Sequence, residues 1–390
     1  MNGGFAVGDR SLLGTGNTHP DWLLTHAAAG AYRIVVASVV GQKHLELGLP
    51  REDAAAVRGA GPWIAVAVAD GIGSEPYALH GAAQTVDCLT AAMLRQVTRP
   101  TAAVFPYSPG RPPSHVNDAV PHADYDRELG VVEPDAWLAA RSLGAAVTPG
   151  EGDGPDLVEP GGFRQAASVG WCRVACDADG TAASPPPDLE KSLAAAFSQA
   201  HQELHYYAGA LRLQETDLGC TALALLFNVE TGAGAAAQLG DGGILALTEG
   251  GAALDLAQPK AAADPTFTFA LDQEDYRDVL AVRPFTADES GAYPAIFVMT
   301  DGLTRDLLYA PRDLQAAWLQ GVSRHIRSAG SEARAAGDTL NWLARYDVAG
   351  VWDDRTLVVI TRRESADADR ESVAGDAGAA EPTDDRESTG

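Results

Sequence analysis

Apolar positions in this chain fall into two patterns. Short unbroken runs of small and β-branched residues, "YRIVVASVVG" from Tyr32 to Gly41 and "WIAVAVAD" from Trp63 to Asp70, read as buried strands. The same reading covers "CTALALLFNVE", "GAAAQLGD", "GILALTEGG", "DVLAVRPF", "YPAIFVMTD" and the last run, "RTLVVIT". A turn at Thr231-Gly232 separates the first two of these. Other stretches repeat at helical spacing. From Pro76 to Val97, Leu79, Ala82, Ala83, Val86, Leu89 and Met93 share one face, with Pro76 suited to the first turn. "DLEKSLAAAFSQAHQELHYYAGAL" is a second helix, with Asp188 as its N-cap. "DLQAAWLQGVSRHIRS" and "EARAAGDTLNWLARY" are two more. Strands grouped by hairpins with helices inserted between groups predict an α+β fold, not alternating βαβ units.

The remaining sequence lacks such order. Residues 1–30 carry no sustained period and read as a loose N-terminal extension. Between about 100 and 187, "YSPGRPPSHVND" and "VTPGEGDGPDLVEPGG" are rich in Pro, Gly and Asp, which marks an insertion in one domain spanning 31–363. A short hairpin is expected within it at "GWCRVACDADGTA". The stretch 364–390 is acidic and rich in Ala, Ser and Gly, and is expected to be disordered. With 390 residues and 46% apolar content, the chain can bury a large core.

A formal charge of −25 argues against nucleic acid as a partner, because phosphate binding needs clustered Lys and Arg. The first residues lack a signal peptide's basic start and apolar core, and no run approaches the ~20 residues of a membrane helix. Cys88, Cys172, Cys176 and Cys220 lack zinc-knuckle spacing and read as thiols of a reducing cytoplasm. A cytoplasmic chain without a membrane partner is therefore expected. His201 and His205, in "HQELH", stand one helical turn apart, but Gln202 occupies the place where a zinc protease has Glu. Neither a P-loop nor a G-x-S-x-G nucleophile elbow is present.

Several strands end or begin on carboxylates. Asp70-Gly71, Asp241-Gly242 and Asp301-Gly302 follow apolar runs, and Asp353-Asp354 precedes the last one. One Asp-Gly pair is an ordinary turn. Four acidic strand ends could converge on one edge of a sheet core, where oxygen ligands suit hard cations such as Mg²⁺ or Mn²⁺. Gly after Asp leaves the backbone carbonyl open to close approach.

The order of "SVVGQKHLELGLPREDAAAV", "AVADGIGS", "GCTALALLF", "AQLGDGGILALTEGG", "VMTDGLT" and "DDRTLVVI" resembles the PPM/PP2C-type metal-dependent Ser/Thr protein phosphatases, in a bacterial branch. The resemblance spans about 37–361 with the insertion excepted. It implies a four-layer α/β/β/α sandwich with two central antiparallel sheets flanked by helices. It also implies hydrolysis of phosphoserine and phosphothreonine on proteins by a metal-activated water at a dinuclear Mn²⁺ or Mg²⁺ site. By motif, Asp70, Asp301 and Asp353 are the catalytic carboxylates. Asp70 bridges both ions and Gly71 offers its carbonyl, while Asp301 and Asp353 complete the first site. Glu52 or Asp53 serves the second, directly or through water, and Asp241 helps Asp301 hold a weaker third ion. The expected partner is a phosphorylated protein, a Ser/Thr kinase or its targets, met by a monomer.

Three departures from the family pattern matter. Ile72 stands where some members carry a His as general acid. The family's N-terminal phosphate-binding Arg has no clear match; His44 and Arg51 are its candidates, each also readable as a loop residue. Asp354 stands where the family has Asn, an extra charge expected to face solvent or a partner behind the ligands, so that Asp354→Asn would be tolerated. The rival reading is a catalytically weak pseudophosphatase that binds phosphoproteins or regulates a kinase.

Overall fold

The computed structural model describes residues 6–7, 22–98, 188–258, 268–287, 293–346 and 352–363. The expected 100–187 insertion with its hairpin, Cys172, Cys176 and the 364–390 tail lie outside the described residues.

In chain order the described strands begin with β1 (Ala6–Val7), β2 (Trp22–Ala29) and β3 (Tyr32–Val39). Helix α1 (Gln42–Leu47) leads to β4 (Ala54–Ala60), β5 (Trp63–Ala69) and α2 (Ala78–Val97). Helix α3 (Leu189–Leu211) precedes β6 (Ala222–Asn228), β7 (Gly234–Leu239), β8 (Gly243–Leu247) and β9 (Ala253–Asp255). Then come α4 (Tyr276–Val279), β10 (Ala281–Phe285), β11 (Ala295–Met299) and α5 (Asp301–Leu307). The order closes with α6 (Arg312–Ser328), α7 (Glu332–Arg345) and β12 (Arg355–Arg362).

Two antiparallel sheets form the centre. One has the order β1-β2-β3-β12-β11-β8-β9 and the other β10-β7-β6-β5-β4. Alternate residues of each inner strand explain the unbroken apolar runs. Ile34 and Val36 of β3, Val66 and Val68 of β5, and Leu223, Leu225 and Phe227 of β6 fill the space between the sheets. The intervening residues face outward under helices. On the five-stranded sheet these are nearly all alanine: Ala54, Ala56, Ala65, Ala67, Ala222, Ala224, Ala235 and Ala237. Bulk comes from the helices instead, with Leu89 and Met93 of α2 and Leu193, Phe197 and Leu204 of α3. On the other sheet, Val35, Ala37, Phe297 and Val359 pack against Leu319 and Ile326 of α6 and Leu343 of α7. The four-layer α/β/β/α architecture is present as expected. Asp188 caps α3, accepting from the Lys191 N–H at 3.1 Å.

The structure corrects the sequence reading in places. Residues 22–29 are not a loose extension: β2 pairs along its length with β3 and buries alternate side chains. The stretch between the Tyr32 and Trp63 strands holds α1 and β4, and Asp278 and Val279, expected to open a strand, belong to the helical turn Tyr276–Val279. His201 and His205 serve structure, the first bound at Nδ1 to the Leu271 carbonyl (2.6 Å) and the second paired with Glu215 (2.6 Å). Cys88 and Cys220 are buried thiols, pushed up to about 12 by burial. No helix among the described residues is long and apolar enough to cross a membrane.

Register places the acidic strand ends together. Leu239 at the end of β7 pairs with Ala222 at the start of β6, and Ala69 at the end of β5 pairs with Ala54 at the start of β4. In the other sheet, Val39 at the end of β3 pairs with Arg355 at the start of β12, and Met299 at the end of β11 pairs with Leu357 and Gly243. Side chains at this end of the sandwich then reach from one sheet to the other.

Candidate metal centre

Asp70 follows β5 and is fixed by its backbone. Its N–H donates to Thr221 Oγ1 at 2.9 Å, and the Thr221 N–H donates back to the Asp70 carbonyl at 2.8 Å. Gly71 forms a bridge with Cys220, and a Cβ there would stand 3.0 Å from the Cβ atoms of Ala78 and Glu52. Glu52 therefore lies beside the Asp70-Gly71 turn. Asp301 opens α5 directly after β11, and Asp353 stands two residues before β12. Asp241, in the β7–β8 turn, is exposed; its carbonyl accepts from Thr304 Oγ1 (3.2 Å) and its carboxylate from Thr268 Oγ1 (3.1 Å).

These carboxylates feel one another. Burial pushes Asp70 well above the usual carboxylate range, and Asp53, Asp301 and Asp353 add to the shift. Burial also raises Asp301, to about 6, with Asp241 and Asp353 adding. Asp53 is fully buried and is raised by that burial, then by Asp354, to about 8. Glu52 is raised to about 7, chiefly by burial. The structure thus brings Glu52, Asp53, Asp70, Asp241, Asp301 and Asp353 into one electrostatic neighbourhood.

Asp53 joins the two sheets. Its Oδ2 accepts from Thr300 Oγ1 (2.9 Å) and Thr356 Oγ1 (2.6 Å), and Thr356 is 2.6 Å from Ser38 Oγ. Arg51 Nη1 donates to that Ser38 Oγ (2.9 Å) and to the Asp53 carbonyl. Ser38, Thr221, Thr300 and Thr356 were not singled out from the sequence. Their signal was a hydroxyl placed at the end of an otherwise apolar strand.

Asp354 takes the second of its two expected places, against partners behind the ligands, and the phosphate candidates His44 and Arg51 are buried with it. Asp354 does not face solvent: it is 2% exposed and accepts from four donors. Its Oδ1 takes the Gly41 N–H (2.6 Å) and faces His44 Nδ1 (3.0 Å), while Oδ2 takes the N–H groups of Glu52 (2.6 Å) and Asp53 (3.3 Å). His44 is buried, which alone would lower its pKa, but the hydrogen bond and charge of Asp354 prevail and hold it at about 9. His44⁺ in turn holds the Asp354 carboxyl below its usual range, against burial. Arg51 is 1% exposed and spends its guanidinium inside the fold. Neither cation is placed to meet a phosphate. Close backbone approach accompanies this clasp. A Cβ on Gly41 would stand 2.3 Å from the Asp353 carbonyl carbon, and one on Gly302 would stand 1.9 Å from the Asp354 carbonyl oxygen.

The donor set fits a hard divalent cation. Asp53 Oδ1 and Asp301 Oδ1 are buried without a hydrogen-bond partner, a costly state for carboxylate oxygens that a cation would relieve; Glu52 Oε2 also lacks a hydrogen bond but faces His44 Nε2 at 3.7 Å. Carboxyls that disfavour one another's charge, as Asp53, Asp301 and Asp353 do for Asp70, are also the oxygen donors that Mg²⁺ or Mn²⁺ prefers. Among the described residues, no three His, Cys, Asp or Glu side chains gather into a ready-made cage. Mg²⁺ needs none, since it keeps several waters and takes one or two carboxylates. Ile72, held by its N–H to the Gly219 carbonyl (2.9 Å), brings no proton donor.

A pH dependence follows for the metal-free protein. Acids raised on folding lose stability as pH rises from their unfolded values, near 3.8 for Asp, through about 6 for Asp301 and about 8 for Asp53. The contribution of His44 is complete below 6.5 and is lost as pH rises through about 9. Asp354, lowered on folding, opposes them only in the acid range. Thermal melts in chelator should therefore show a lower Tm at pH 9 than at pH 6; a flat or rising Tm would contradict the burial of these groups.

The comparison with known families supplies an independent statement. The sequence profile described as Protein phosphatase 2C matches residues 40–130 and 162–343, which include Glu52, Asp53, Asp70, Asp241 and Asp301, with Asp353 just beyond. No curated protein matches in sequence. Among solved structures the chain is similar to a C. elegans sex determining protein, at 12% identity and a TM-score of 0.43, covering 85% of this chain and 64% of that one. It is similar to RsbX in complex with magnesium at 11% identity and a TM-score of 0.38, covering 87% and 99%. It is also similar to the Mycobacterium tuberculosis serine/threonine phosphatase PstP/Ppp, at 15% identity and a TM-score of 0.40, covering 88% and 100%. Likeness at that distance carries no detail of the site, but the profile covers most of the chain and five of its six clustered acids. The chain belongs to the protein phosphatase 2C family, whose members are serine/threonine protein phosphatases.

Proposed function

We propose that the protein hydrolyses phosphoserine and phosphothreonine on proteins with two Mn²⁺ or Mg²⁺ ions held by the clustered carboxylates. The observation that carries this reading is the pair of buried carboxylate oxygens without a hydrogen-bond partner on Asp53 and Asp301, beside Asp70 and Glu52. Asp70, Asp301 and Asp353 would hold one ion, Asp70 with the Gly71 carbonyl and Glu52 or Asp53 the other, and Asp241 with Asp301 a weaker third. When bound, the ions would neutralise phosphate oxygens and lower the pKa of the attacking water. The chain's own part is positional. Thr221 fixes the turn that presents Asp70, while Thr300 and Thr356 hold Asp53 through one oxygen and leave the other free. The Asp354 clasp sets the backbone of Glu52 and Asp53 against the start of β12.

The second reading, a weak phosphoprotein-binding module, draws on the lack of a closed cage among the described residues. Turnover separates the two. Phosphoserine and phosphothreonine peptides should be hydrolysed with Mn²⁺ or Mg²⁺ and not in EDTA. Metal should also raise the Tm, since it binds the folded state and relieves repulsion among the acids. A Tm unmoved by saturating Mn²⁺ would contradict the proposed ligands.

A further inference from the structure

Beside Asp301 and Asp353 lies an open pocket of ≈ 420 Å³, walled by Lys43, Glu46, Leu47, Gly302, Arg305 and Trp352. Its wall carries two features that holding a metal does not use. Lys43 and Arg305 are exposed cations, and neither forms an ion pair with a described residue. In a chain with 53 acidic and 28 basic residues, two exposed cations beside a carboxylate cluster are a distinct local feature. Large apolar side chains also stand at the same pocket, with Leu47 63% and Trp352 52% exposed. The two halves are tied together, because the Lys43 N–H donates to the Trp352 carbonyl at 3.0 Å. The Lys43 ammonium also reaches toward the turn after Asp70, 3.6 Å from where a Cβ on Gly73 would stand.

We propose that this pocket docks a protein segment in which large apolar residues flank the phosphorylated one. Lys43 and Arg305 meet the phosphate, and Leu47 and Trp352 cover its apolar neighbours. The inference rests on the phosphatase reading for its ligand class. Where ions held by Asp70, Asp301 and Asp353 would meet one side of an entering phosphate, Lys43 and Arg305 stand to meet its outer side. Burying the apolar neighbours against Trp352 and Leu47 removes apolar surface from water on both sides. Acidic neighbours are disfavoured by Glu46, held on α1 by Gln42 at 2.6 Å, and by the acid cluster itself. The open shape suits a chain passing across the pocket better than an enclosed small molecule.

Binding tests this without needing turnover. Fluorescently labelled peptides would carry the difluoromethylene phosphonate analogue of phosphoserine, which is not hydrolysed, flanked on both sides by Leu or by Gly. Anisotropy titrations in Mg²⁺ should give wild-type protein a Kd about 10-fold lower for the Leu-flanked peptide. Leu47→Ala combined with Trp352→Ala should shrink that preference below about 3-fold, while Trp352→Phe, which keeps an aromatic face, should retain most of it. Lys43→Ala combined with Arg305→Ala should weaken both peptides by about 10-fold. Equal binding of the two peptides by wild type would overturn the inference, as would a preference that survives loss of Leu47 and Trp352. Phosphate release from the corresponding phosphoserine peptides is measured separately. A preference without turnover supports the pocket and sinks the phosphatase reading; turnover without preference does the reverse.

Discussion

Asp301→Asn and Asp353→Asn should each lower phosphoserine turnover by at least about 100-fold while leaving the protein folded. Asn keeps the shape of Asp but lacks the anion that holds a hard cation. Both acids stand at the mouth of the cluster, and both raise the pKa of Asp70. Their removal relieves repulsion, so the metal-free variants should melt at or above the wild-type temperature. Turnover across a Mn²⁺ titration, read beside a melt of each chelated variant, checks both halves. A folded Asp353→Asn protein with wild-type turnover would remove the β12 end from the metal site.

Asp354→Asn should behave in the opposite way, losing stability before chemistry. The sequence expectation that it is tolerated did not include the four donors that surround its carboxylate. Whichever side an amide turns, two of these donors face an NH₂ group, and buried His44⁺ loses the nearer of its two counter-charges, keeping only Glu52 at 3.7 Å. Breaking one partner of a buried, hydrogen-bonded ion pair costs about 3–5 kcal/mol. A urea melt of the chelated protein should show that loss. Because Asp354 also orients the backbone of Glu52 and Asp53, the variant should bind Mn²⁺ more weakly where it remains folded. A melt superimposable on wild type would contradict the clasp.

The sequence singled out Asp354 but not the groups that bind it. Its partners Gly41, His44, Glu52 and Asp53 lie some 300 residues away, and only the pairing of β3 with β12 brings them near. Arg51 was legible as a cation but not as one buried against Ser38. Asp70, Asp241 and Asp301 were legible because each ends an apolar run on Asp-Gly, a local signal repeated three times. The same contrast holds for the fold. Strands such as Trp63–Ala69 and Ala222–Asn228 bury both faces and read as unbroken apolar runs. Strand β4, "AAAVRGA", has four alanines in seven residues, a residue of low strand preference, and becomes a strand through pairing with β5. In β2, Thr25 and His26 break the apolar run that marks the other strands. Helix α1 has six residues, too few for a helical period to declare itself.

The central claim is that these strand-end carboxylates form a metal centre on which phosphatase activity depends. Equilibrium dialysis against Mn²⁺, with phosphate release from a phosphoserine peptide measured on the same samples, tests it for wild type and Asp70→Asn. The account predicts that wild type binds at least two ions, as proposed for the family's dinuclear site, and turns over in step with their occupancy. Asp70→Asn, folded by circular dichroism, should lose both binding and turnover. Undiminished turnover by wild type in EDTA, or by Asp70→Asn without bound Mn²⁺, would contradict it.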